Sequence, residues 1–395
     1  MKIYLIVGEP SGDILASRLI KAIRAKYPGA EFFGIGGETM QAEGFNSLFN
    51  IKDLSVMGLM EVIPKLPIIL RRRKEVLCDI ENLQPDVIVT VDSWGFVNSI
   101  LKNLKKKENK TPKTPKTPKT PKVPKVHYVA PQVWAWKKGR AKKAAQIMDH
   151  LMTLLPYEPP YFEKYGLDCT FAGHPVIENT VNLPTDIALL RTQAGIPGNA
   201  RVLCVLPGSR HSEVSKLAPV FVESVKRLNK EIPNLFLLIP SVENMKEEIN
   251  AYFENTEIPY HLITGQKARY EAFCMSEFAL AASGTVSLEL TACGTPHIIA
   301  YTFNPLTNRI VDLLAIAKYA NLINILADRL IIPEFVLSKC KAGLIVPEVL
   351  SFLQDKEKCK TQAMQAKEQL AKLKPAGKLP SEKAAEVVLN AIEKT

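Results

Sequence analysis

The sequence predicts an α/β fold with two Rossmann-like domains that face a cleft, and three observations support this prediction. First, 395 residues exceed one ordinary domain and suit two. Second, short apolar runs alternate with stretches of helical periodicity, and this series starts afresh near residue 201. Third, polar or glycine-containing turns follow the apolar runs, as in open sheets that bind ligands at the carboxyl ends of their strands. We therefore expect domains at 1–184 and 185–395, with a last helix at about 381–394 that could pack back on the first domain.

Composition and charge narrow the class of protein. Apolar residues make up 47% of the chain and charged residues 23%, which is typical of soluble globular proteins. No apolar run approaches the ~20 residues that span a bilayer, and the opening segment is too short for a signal peptide. The seven cysteines are scattered and never spaced as CxxC, which predicts reduced thiols in the cytoplasm and no zinc site. The net charge of +11 is concentrated in residues 105–125 without a nucleic-acid motif, so we expect no nucleic-acid partner.

Two strand–turn–helix units of the first domain carry candidate site residues. Lys2–Val7 is predicted to be a buried strand, and residues 8–13 form the turn before a helix. A second buried strand, residues 86–91, ends in Asp92. Because ligands gather at the carboxyl ends of such strands, Asp92 is placed for chemistry. Capping the next helix is the commoner role of an aspartate at such a position.

An unusually apolar segment, residues 55–73, ends in three arginines. Pro64 and Pro67 within it are expected to prevent one long helix. The segment is too short to span a bilayer, but it could lie in a membrane interface with its arginines on anionic head groups. Helices packed in the protein core are the other interpretation. The membrane-contact residues predicted here are Val56, Met60, Ile63, Leu66, Ile68, Ile69, Arg71, Arg72 and Arg73.

A low-complexity tract follows in the same domain. Residues 111–122 are four copies of Thr-Pro-Lys, and Val-Pro-Lys completes the tract. Proline at every third position favours polyproline II and excludes a helix or a central strand. We interpret residues 111–125 as a solvated insertion between a helix and a strand that begins at Val126, without a catalytic role.

The second domain contains two turns between an apolar run and a helix, and the second of them is suited to bind an anion. The apolar run Arg201–Leu206 ends in Pro-Gly-Ser-Arg, and the run Phe278–Ala282 ends in Ser-Gly-Thr before a helix. Amide groups at such a helix start lack intrahelical partners, and the helix dipole favours a phosphate there. Glu289 lies one turn deeper on the same face, where its carboxylate could accept hydrogen bonds from a ribose. The simpler alternative is a capped helix with Glu289 in solvent. Neither domain has G-x-G-x-x-G after its first strand, which argues against a nicotinamide or flavin enzyme.

The motifs, considered as a set, resemble the lipid-A-disaccharide synthase family, which consists of glycosyltransferases with the two-domain GT-B architecture. Each match is weak alone, but the matches follow the family order across nearly the whole chain. They are Gly8-Glu9-x-Ser11-Gly12-Asp13, Val56-Met57-Gly58 with Glu61-Val62, Val91-Asp92-Ser93 with Phe96, Pro131-Gln132-Val133-Trp134-Ala135-Trp136, Gly173-His174-Pro175, Leu206-Pro207-Gly208-Ser209-Arg210, and Ser283-Gly284-Thr285 with Glu289.

The resemblance implies an enzyme and its substrates. It implies transfer of a diacylglucosamine unit from UDP-2,3-diacylglucosamine to 2,3-diacylglucosamine 1-phosphate, with inversion at the anomeric carbon and release of UDP. It also implies a cytoplasmic protein that is peripheral on the inner face of the inner membrane and contacts an anionic membrane surface. A homodimer is compatible with the sequence. The alternative is a non-catalytic protein that binds UDP-sugar or anionic lipid and has no need of Asp92.

Residue roles follow from the resemblance and from simple chemistry. No D-x-D motif occurs, so we expect no metal or other cofactor; helix amides and Arg210 would stabilise the leaving diphosphate. Asp92 is the candidate general base. The candidate donor-binding residues are Gly208, Ser209, Arg210, Ser283, Gly284, Thr285, Glu289 and Asn324. The candidate acceptor-binding residues are Glu9, Ser11, Gly12 and Asp13.

Some features depart from the family pattern. Trp94 stands where the family often has proline, and Leu337 where it usually has glutamine; the Thr-Pro-Lys tract is foreign to the pattern. These departures concern the geometry of the acceptor site. A peptidoglycan glycosyltransferase of the same architecture should carry a G-G-x-G-G loop after its first strand, and that loop is absent.

Overall fold

A computed structural model describes residues 1–54, 59–110, 122–133, 139–181, 183, 187–304, 308 and 318–394, without the side chains of residues 59–63, 109 and 110. The chain divides into two compact units. One comprises Met1–Pro175 and Leu373–Thr395, and the other comprises Val176–Lys372. The predicted boundary at 184 therefore lies within the second unit, because a short helix at Val176–Asn179 packs against the helix Val286–Cys293 of that unit.

The first unit is built on a six-stranded parallel sheet with the strand order β2-β1-β3-β4-β5-β6. Its elements are β1 (Lys2–Val7), α1 (Pro10–Lys26), β2 (Glu31–Ile35), α2 (Glu38–Ala42), α3 (Leu59–Leu83), β3 (Val87–Val91), α4 (Trp94–Lys110), β4 (Lys125–Tyr128), α5 (Gly139–Ile147), β5 (His150–Thr153), α6 (Pro160–Glu163) and β6 (Asp168–Phe171).

Strand β1 shows why this sheet is covered on both faces. Successive side chains of a strand point to opposite faces. Accordingly, Ile3, Leu5 and Val7 belong to one buried apolar cluster, whereas Tyr4 and Ile6 belong to another. From Ile3 to Val7 every residue of β1 is buried, and strands that are apolar on both faces are typical of parallel sheets covered by helices on both sides.

The second unit is built on another six-stranded parallel sheet, with the order β12-β11-β10-β7-β8-β9. Its elements are α7 (Val176–Asn179), α8 (Ala188–Gln193), β7 (Arg201–Leu206), α9 (His211–Glu231), β8 (Leu235–Pro240), α10 (Lys246–Phe253), β9 (Tyr260–Ile263), α11 (Gln266–Met275), β10 (Phe278–Ala282), α12 (Val286–Cys293), β11 (His297–Tyr301), α13 (Leu322–Ala327), β12 (Glu334–Val336), α14 (Ala342–Gln354) and α15 (Lys356–Ala371).

The last helix, α16 (Pro380–Glu393), returns to the first unit. It packs along α1, and its residues Ala384 and Val388 share a buried apolar cluster with Leu15 and Leu19 of that helix. The helix predicted at about 381–394 therefore lies outside the second unit, although the predicted domain 185–395 contained it.

Helix α3 corrects the expectation that its two prolines would break it. The helix runs from Leu59 to Leu83 with Pro64 and Pro67 inside. An interior proline removes one backbone hydrogen bond and costs about 3 kcal/mol. Packing offsets this local cost, because Val76 and Ile80 of the same helix are buried in the core of the first unit. None of the helices described has the length and the hydropathy that crossing a membrane requires.

The end of the predicted insertion belongs to the sheet. Strand β4 begins at Lys125, and the side chain of Lys125 is 1% exposed. Its ammonium group pairs with Glu108, donates to the carbonyl of Val123 at 3.0 Å and lies 3.7 Å from Asp149. Lys125 is therefore a structural residue, whereas residues 111–121 lie outside the described part of the chain.

Candidate active site

Both sheets contain a point where the strand order reverses, and these two points position the candidate residues. In the second sheet β7 and β10 are neighbours, and the chain continues from β7 to β8 on one side and from β10 to β11 on the other. Ligands of open α/β sheets bind outside the carboxyl ends of strands at such a switch point. The residues that follow Leu206 of β7 and Ala282 of β10 therefore meet where a ligand is expected.

A cavity of about 540 Å³ lies at this switch point of the second unit. Seven of the eight predicted donor-site residues line it: Gly208, Ser209, Arg210, Ser283, Gly284, Thr285 and Glu289. The helix α12 starts at its wall, where Ser287 N donates a hydrogen bond to the carbonyl of Gly284 at 3.3 Å. The amides of Gly284, Thr285 and Val286 lie at this helix start, where backbone N–H groups lack intrahelical partners and the helix dipole favours an anion.

The loop after β7 is shaped by Glu213 in the first turn of α9. Glu213 Oε2 accepts a hydrogen bond from Ser209 N at 3.1 Å, and Glu213 Oε1 lies 3.9 Å from Arg210 Nη1. Gly208 has a φ of +125°, and a Cβ there would lie 2.6 Å from Glu213 Cβ. Only glycine fits this position. The side chain of Arg210 is 56% exposed at the cavity, which leaves its guanidinium accessible to an anionic ligand.

Glu289 is buried at the wall of the cavity, which excludes the alternative that placed it in solvent. Its side chain is 8% exposed. Glu289 Oε1 accepts hydrogen bonds from Arg269 Nη2 at 3.0 Å and from the hydroxyl of Tyr270 at 3.0 Å. Burial, followed by the neighbouring charge of Glu289, raises the pKa of Tyr270, so this tyrosine remains a hydrogen-bond donor. The carboxylate is thereby held in one orientation.

Arg269 is a cavity residue that the sequence did not predict. It lines the cavity beside Glu289, and its guanidinium lies over the ring of Tyr270, 5.6 Å from the centroid. Its Nε is buried and has no hydrogen-bond partner within the described structure. A buried donor without a partner is costly, and a ligand that accepts a hydrogen bond would remove that cost. Arg269 belongs to no recognisable sequence motif, so its place in the cavity could not be predicted from the sequence.

A buried polar chain beneath α12 fixes the helix against β11. Asn321 Nδ2 donates to Ser287 Oγ at 2.6 Å, and Ser287 Oγ lies 2.7 Å from His297 Nε2. His297 Nδ1 lies 2.9 Å from the carbonyl of Thr295, which assigns the proton to Nδ1 and the acceptor role to Nε2. Burial lowers the pKa of His297 to about 4, so the ring is neutral at pH 7.

Asn324, the eighth residue predicted to bind the donor, is held within the fold, and its donor contact stays a prediction. Asn324 is completely buried and does not line the cavity. Its Nδ2 donates to the carbonyl of Ile332 and to Glu334 Oε1, each at 2.7 Å. Its Oδ1 accepts from the amides of Ile331 and Ile332. With its amide group engaged on both sides, Asn324 positions the segment before β12.

In the first unit, the switch point between β1 and β3 brings Ser11 to Asp92. Ser11 Oγ lies 3.4 Å from Asp92 Oδ2, and Asp92 Oδ1 accepts from Ser93 N at 2.9 Å. Because α4 starts at Trp94, Asp92 precedes the cap position rather than occupying it. Asp92 and Ser93 have φ values of 52° and 47°, and consecutive left-handed residues of this kind store strain that is common at functional sites.

Burial also makes Asp92 a stronger base. Loss of solvation raises the pKa of Asp92, while the hydrogen bonds from Ser93 and Ser11 act in the opposite direction. A higher pKa increases the proton affinity of the carboxylate at neutral pH. Half-buried Glu9 precedes α1 at the same end of the sheet.

Gly12 and Asp13 have structural roles within the first unit, and their contact with the acceptor stays a prediction. A Cβ on Gly12 would lie 3.1 Å from Val7 Cγ1, so the residue allows α1 to pack closely on β1. Asp13 is buried, and its carboxylate accepts from the amides of Gly37 and Thr39 at 2.7 and 2.8 Å. Its carboxylate therefore stabilises the positive end of α2.

The predicted membrane-contact residues divide into two groups. Leu66 and Ile68 on α3 are 47% and 45% exposed, and Arg71 is exposed and pairs with Glu75. Arg72, by contrast, forms ion pairs with Asp53 and Glu75 and covers the ring of Phe49, so it has a structural role, and its contact with head groups stays a prediction. Ile69 and Arg73 are half-buried. Val56 and the side chains of Met60 and Ile63 lie outside the described residues.

Comparisons with solved structures identify the fold. A UDP-GlcNAc 2-epimerase from Neisseria meningitidis aligns over 100% of both chains with a TM-score of 0.64 and 11% identity. A glycosyltransferase from Rickettsia africae aligns over 100% of this chain and 99% of its own, with a TM-score of 0.58 and 12% identity. The two predicted Rossmann-like domains are thus confirmed.

Comparisons of sequence identify the family. The family model described as lipid-A-disaccharide synthetase matches residues 3–388. A lipid-A-disaccharide synthase of Paramagnetospirillum magneticum is 42% identical over 99% of this chain and 98% of the relative. Another, of Rickettsia akari, is 38% identical over 98% and 95%. The chain therefore belongs to the lipid-A-disaccharide synthetase family of glycosyltransferases, which act in lipid A biosynthesis.

Proposed function

We propose that this glycosyltransferase condenses UDP-2,3-diacylglucosamine with 2,3-diacylglucosamine 1-phosphate and releases UDP. The product is the β-1,6-linked disaccharide 1-phosphate. Family membership supports the reaction, and one structural observation carries the assignment of the donor site: the cavity at the β7–β10 switch point, with an anion-favouring helix start and a buried glutamate on its wall. A single displacement at the anomeric carbon inverts an α-linked donor into a β-linked product.

The cavity suits the UDP part of the donor. Its 540 Å³ fall within the range of small-molecule sites. The diphosphate is assigned to the amides at the start of α12 and to Arg210, both of which compensate negative charge. The ribose is assigned to Glu289, because a buried carboxylate that is already oriented accepts hydrogen bonds from hydroxyl groups. Arg269 Nε supplies a further donor.

Asp92 is proposed as the general base that removes the proton from the acceptor hydroxyl as it attacks. Three observations support this role: its place after β3 at the switch point, its left-handed backbone and its raised pKa. Ser11 orients the carboxylate. Of the four residues predicted to hold the acceptor, Ser11 and Glu9 keep that role in the proposal. Arg210 and the helix amides stabilise the charge that develops on the leaving UDP.

We also propose that the reaction needs no metal ion. The guanidinium of Arg210 and the amides before Ser287 supply the charge stabilisation that a divalent cation supplies in other nucleotide-sugar transferases. Activity should therefore persist in excess EDTA.

The acyl chains of both substrates require access to a membrane, and α3 is the proposed contact. Leu66, Ile68 and Leu70 expose apolar side chains within five positions of one helix, and Arg71 and Lys74 are exposed beside them. Apolar residues next to cations bind the interface of an anionic bilayer. We propose that the enzyme works on the inner face of the inner membrane, and the exposed apolar and basic residues of α3 support a membrane contact.

The experiment that tests the function follows both products. Purified protein is incubated with the two diacylated substrates, and UDP and the disaccharide are quantified by mass spectrometry with and without EDTA. We expect equal amounts of the two products, dependence of both on the acceptor, and no effect of EDTA. Binding of donor without product formation would instead support a non-catalytic protein, and restoration by Mg²⁺ after chelation would overturn metal independence.

A further inference from the structure

Two aromatic side chains, Tyr301 and Phe303, form a pair where β11 ends. Their rings meet edge to face, with the centroids 5.1 Å apart and an interplanar angle of 75°. Tyr301 lines the cavity of the second unit, whereas Phe303 is 36% exposed. Burial of an exposed aromatic ring is favourable, because it removes apolar surface from water. The aromatic pair therefore extends an apolar surface from the wall of the cavity to solvent.

The backbone places Tyr301 beside the turn that precedes α12. Ala282 of β10 pairs with Ala300 of β11, and Ser283 N donates a hydrogen bond to the carbonyl of Ala300 at 3.1 Å. Tyr301 is the next residue after this carbonyl. The aromatic pair thus begins directly at the turn whose amides favour an anion.

The start of α9 also lies near Tyr301. Helix α9 packs against β11, and Arg210 and Glu213 line the same cavity as Tyr301. Burial, followed by the charge of Glu213, raises the pKa of Tyr301, while the charge of Arg210 acts in the opposite direction. Tyr301 is therefore uncharged at pH 7 and presents its ring next to the residues assigned to the diphosphate.

Asn308 holds the chain at Phe303. Asn308 Oδ1 accepts a hydrogen bond from Phe303 N at 2.9 Å, and Asn308 Nδ2 donates to Thr302 Oγ1 at 3.1 Å. Asn308 N donates in turn to the carbonyl of Asn304 at 2.9 Å. Because these bonds fix the backbone on both sides of Phe303, less conformational entropy is lost when its ring contacts a ligand.

We propose that the aromatic pair is the specificity-determining contact for an acyl chain of the donor. This inference rests on the proposed function, which assigns the diphosphate to Arg210 and to the start of α12. The glucosamine is bonded to the diphosphate, so its acyl chains leave the cavity from the end where Tyr301 lies. The side chain of Phe303 has no polar atom, which suits a hydrocarbon chain better than a sugar hydroxyl.

The proposal predicts a difference between acylated and unacylated donors. A chain that covers Phe303 removes apolar surface of both partners from water. UDP-2,3-diacylglucosamine with short acyl chains should therefore bind more tightly than UDP-glucosamine. Phe303→Ser should reduce the ratio of these two Kd values about tenfold. Its Kd for UDP should be unchanged, because Phe303 is not among the described residues that line the cavity.

Isothermal titration calorimetry measures the Kd values of UDP, UDP-glucosamine and the short-chain acylated donor. The titrations contain neither acceptor nor membrane, so the result depends on neither turnover nor a bilayer. Phe303→Leu keeps an apolar side chain and should retain most of the ratio. Leu344→Ser is the matched control, because it removes an apolar side chain that is 50% exposed on α14; the ratio should equal that of the wild type.

Each other outcome contradicts a defined part of the account. A wild-type ratio in Phe303→Ser would overturn the proposal, and so would an equal loss of affinity for all three ligands, which indicates damage to the cavity. If the wild type does not bind UDP, the donor site of the proposed function is wrong and the proposal falls with it. Binding with the expected ratios but without product formation in the presence of acceptor contradicts only the catalytic part of the proposed function.

Discussion

Ser11 and Asp92 meet across the switch point of the first sheet, although 81 residues separate them in the chain. Ser11 Oγ donates toward Asp92 Oδ2 at 3.4 Å from the start of α1, and Asp92 follows β3. The parallel pairing of β1 with β3 aligns Val7 with Val91, which brings the residues after both strands to one edge of the sheet. The hydroxyl of Ser11 is thereby brought to the carboxylate of Asp92, the proposed base.

Ser11→Ala should shift the pH dependence of catalysis. The hydrogen bond from Ser11 stabilises the carboxylate and acts to lower the pKa of Asp92. Without it the pKa of Asp92 rises, so the base becomes protonated at a higher pH. The acidic limb of kcat/KM should therefore move to higher pH. The control is Ser17→Ala on the same helix, whose hydroxyl donates to the carbonyl of Ile14. A limb that stays in place or moves to lower pH would contradict the role of Ser11.

Glu289→Gln should weaken UDP binding about tenfold, because a hydrogen bond to a charged acceptor contributes about 1.5–3 kcal/mol. The substitution keeps the size and one acceptor oxygen but removes the charge that faces Arg269. Isothermal titration calorimetry measures the Kd. Glu277→Gln is the control, because Glu277 forms an ion pair with Arg201 and does not line the cavity. Equal Kd values for Glu289→Gln and the wild type would remove Glu289 from the donor site.

Replacing Leu66 and Ile68 together by serine should reduce binding to anionic liposomes. Both side chains are nearly half exposed, so the substitutions should change the free energy of unfolding little. They remove two apolar side chains that would enter the bilayer interface. We expect at least about a tenfold decrease in the partition coefficient measured by co-sedimentation, with an unchanged melting temperature. Leu344→Ser, at a position that is 50% exposed on α14, is the matched control. If the double variant sediments like the wild type, or unfolds, α3 is not the membrane contact.

Lys125→Met should destabilise the first unit more than Lys122→Met does. Lys125 is buried between Glu108 and Asp149, and removing its charge leaves two partly buried carboxylates without that partner. We expect a loss of about 1–3 kcal/mol in the free energy of unfolding. Lys122 also pairs with Asp149 but is 52% exposed, so its loss should cost less than about 1 kcal/mol. Urea denaturation measures both. Equal costs would mean that Lys125 behaves as a solvated residue of the tract.

The local elements of the fold could be predicted from the sequence because they depend on neighbouring residues. Apolar runs followed by polar or glycine-containing turns predicted the strands that end at Val91, Leu206 and Ala282, and the structure has these ends. The helix through Pro64 and Pro67 could not be predicted in this way, since its buried residues find their partners far along the chain.

The site was predictable only where backbone geometry decides it. Turns after parallel strands must meet at one edge, and the residues of both turns in the second unit do line one cavity. The directions of side chains depend on tertiary partners instead. Asp13 turns to the start of α2, Asn324 turns to the segment before β12, and Arg269 enters the cavity from a helix without a motif.

The comparison of Asp92→Asn with Arg210→Ala tests the central claim most directly, because it separates catalysis from binding. Asp92→Asn preserves size and most hydrogen bonds but removes the base, and loss of a general base costs ~10²–10⁴ in rate. We predict that its kcat for UDP release falls by that factor while its Kd for UDP stays within about twofold of the wild type. Arg210→Ala should raise the Kd for UDP and also slow turnover. Turnover of Asp92→Asn at close to the wild-type rate would contradict the account.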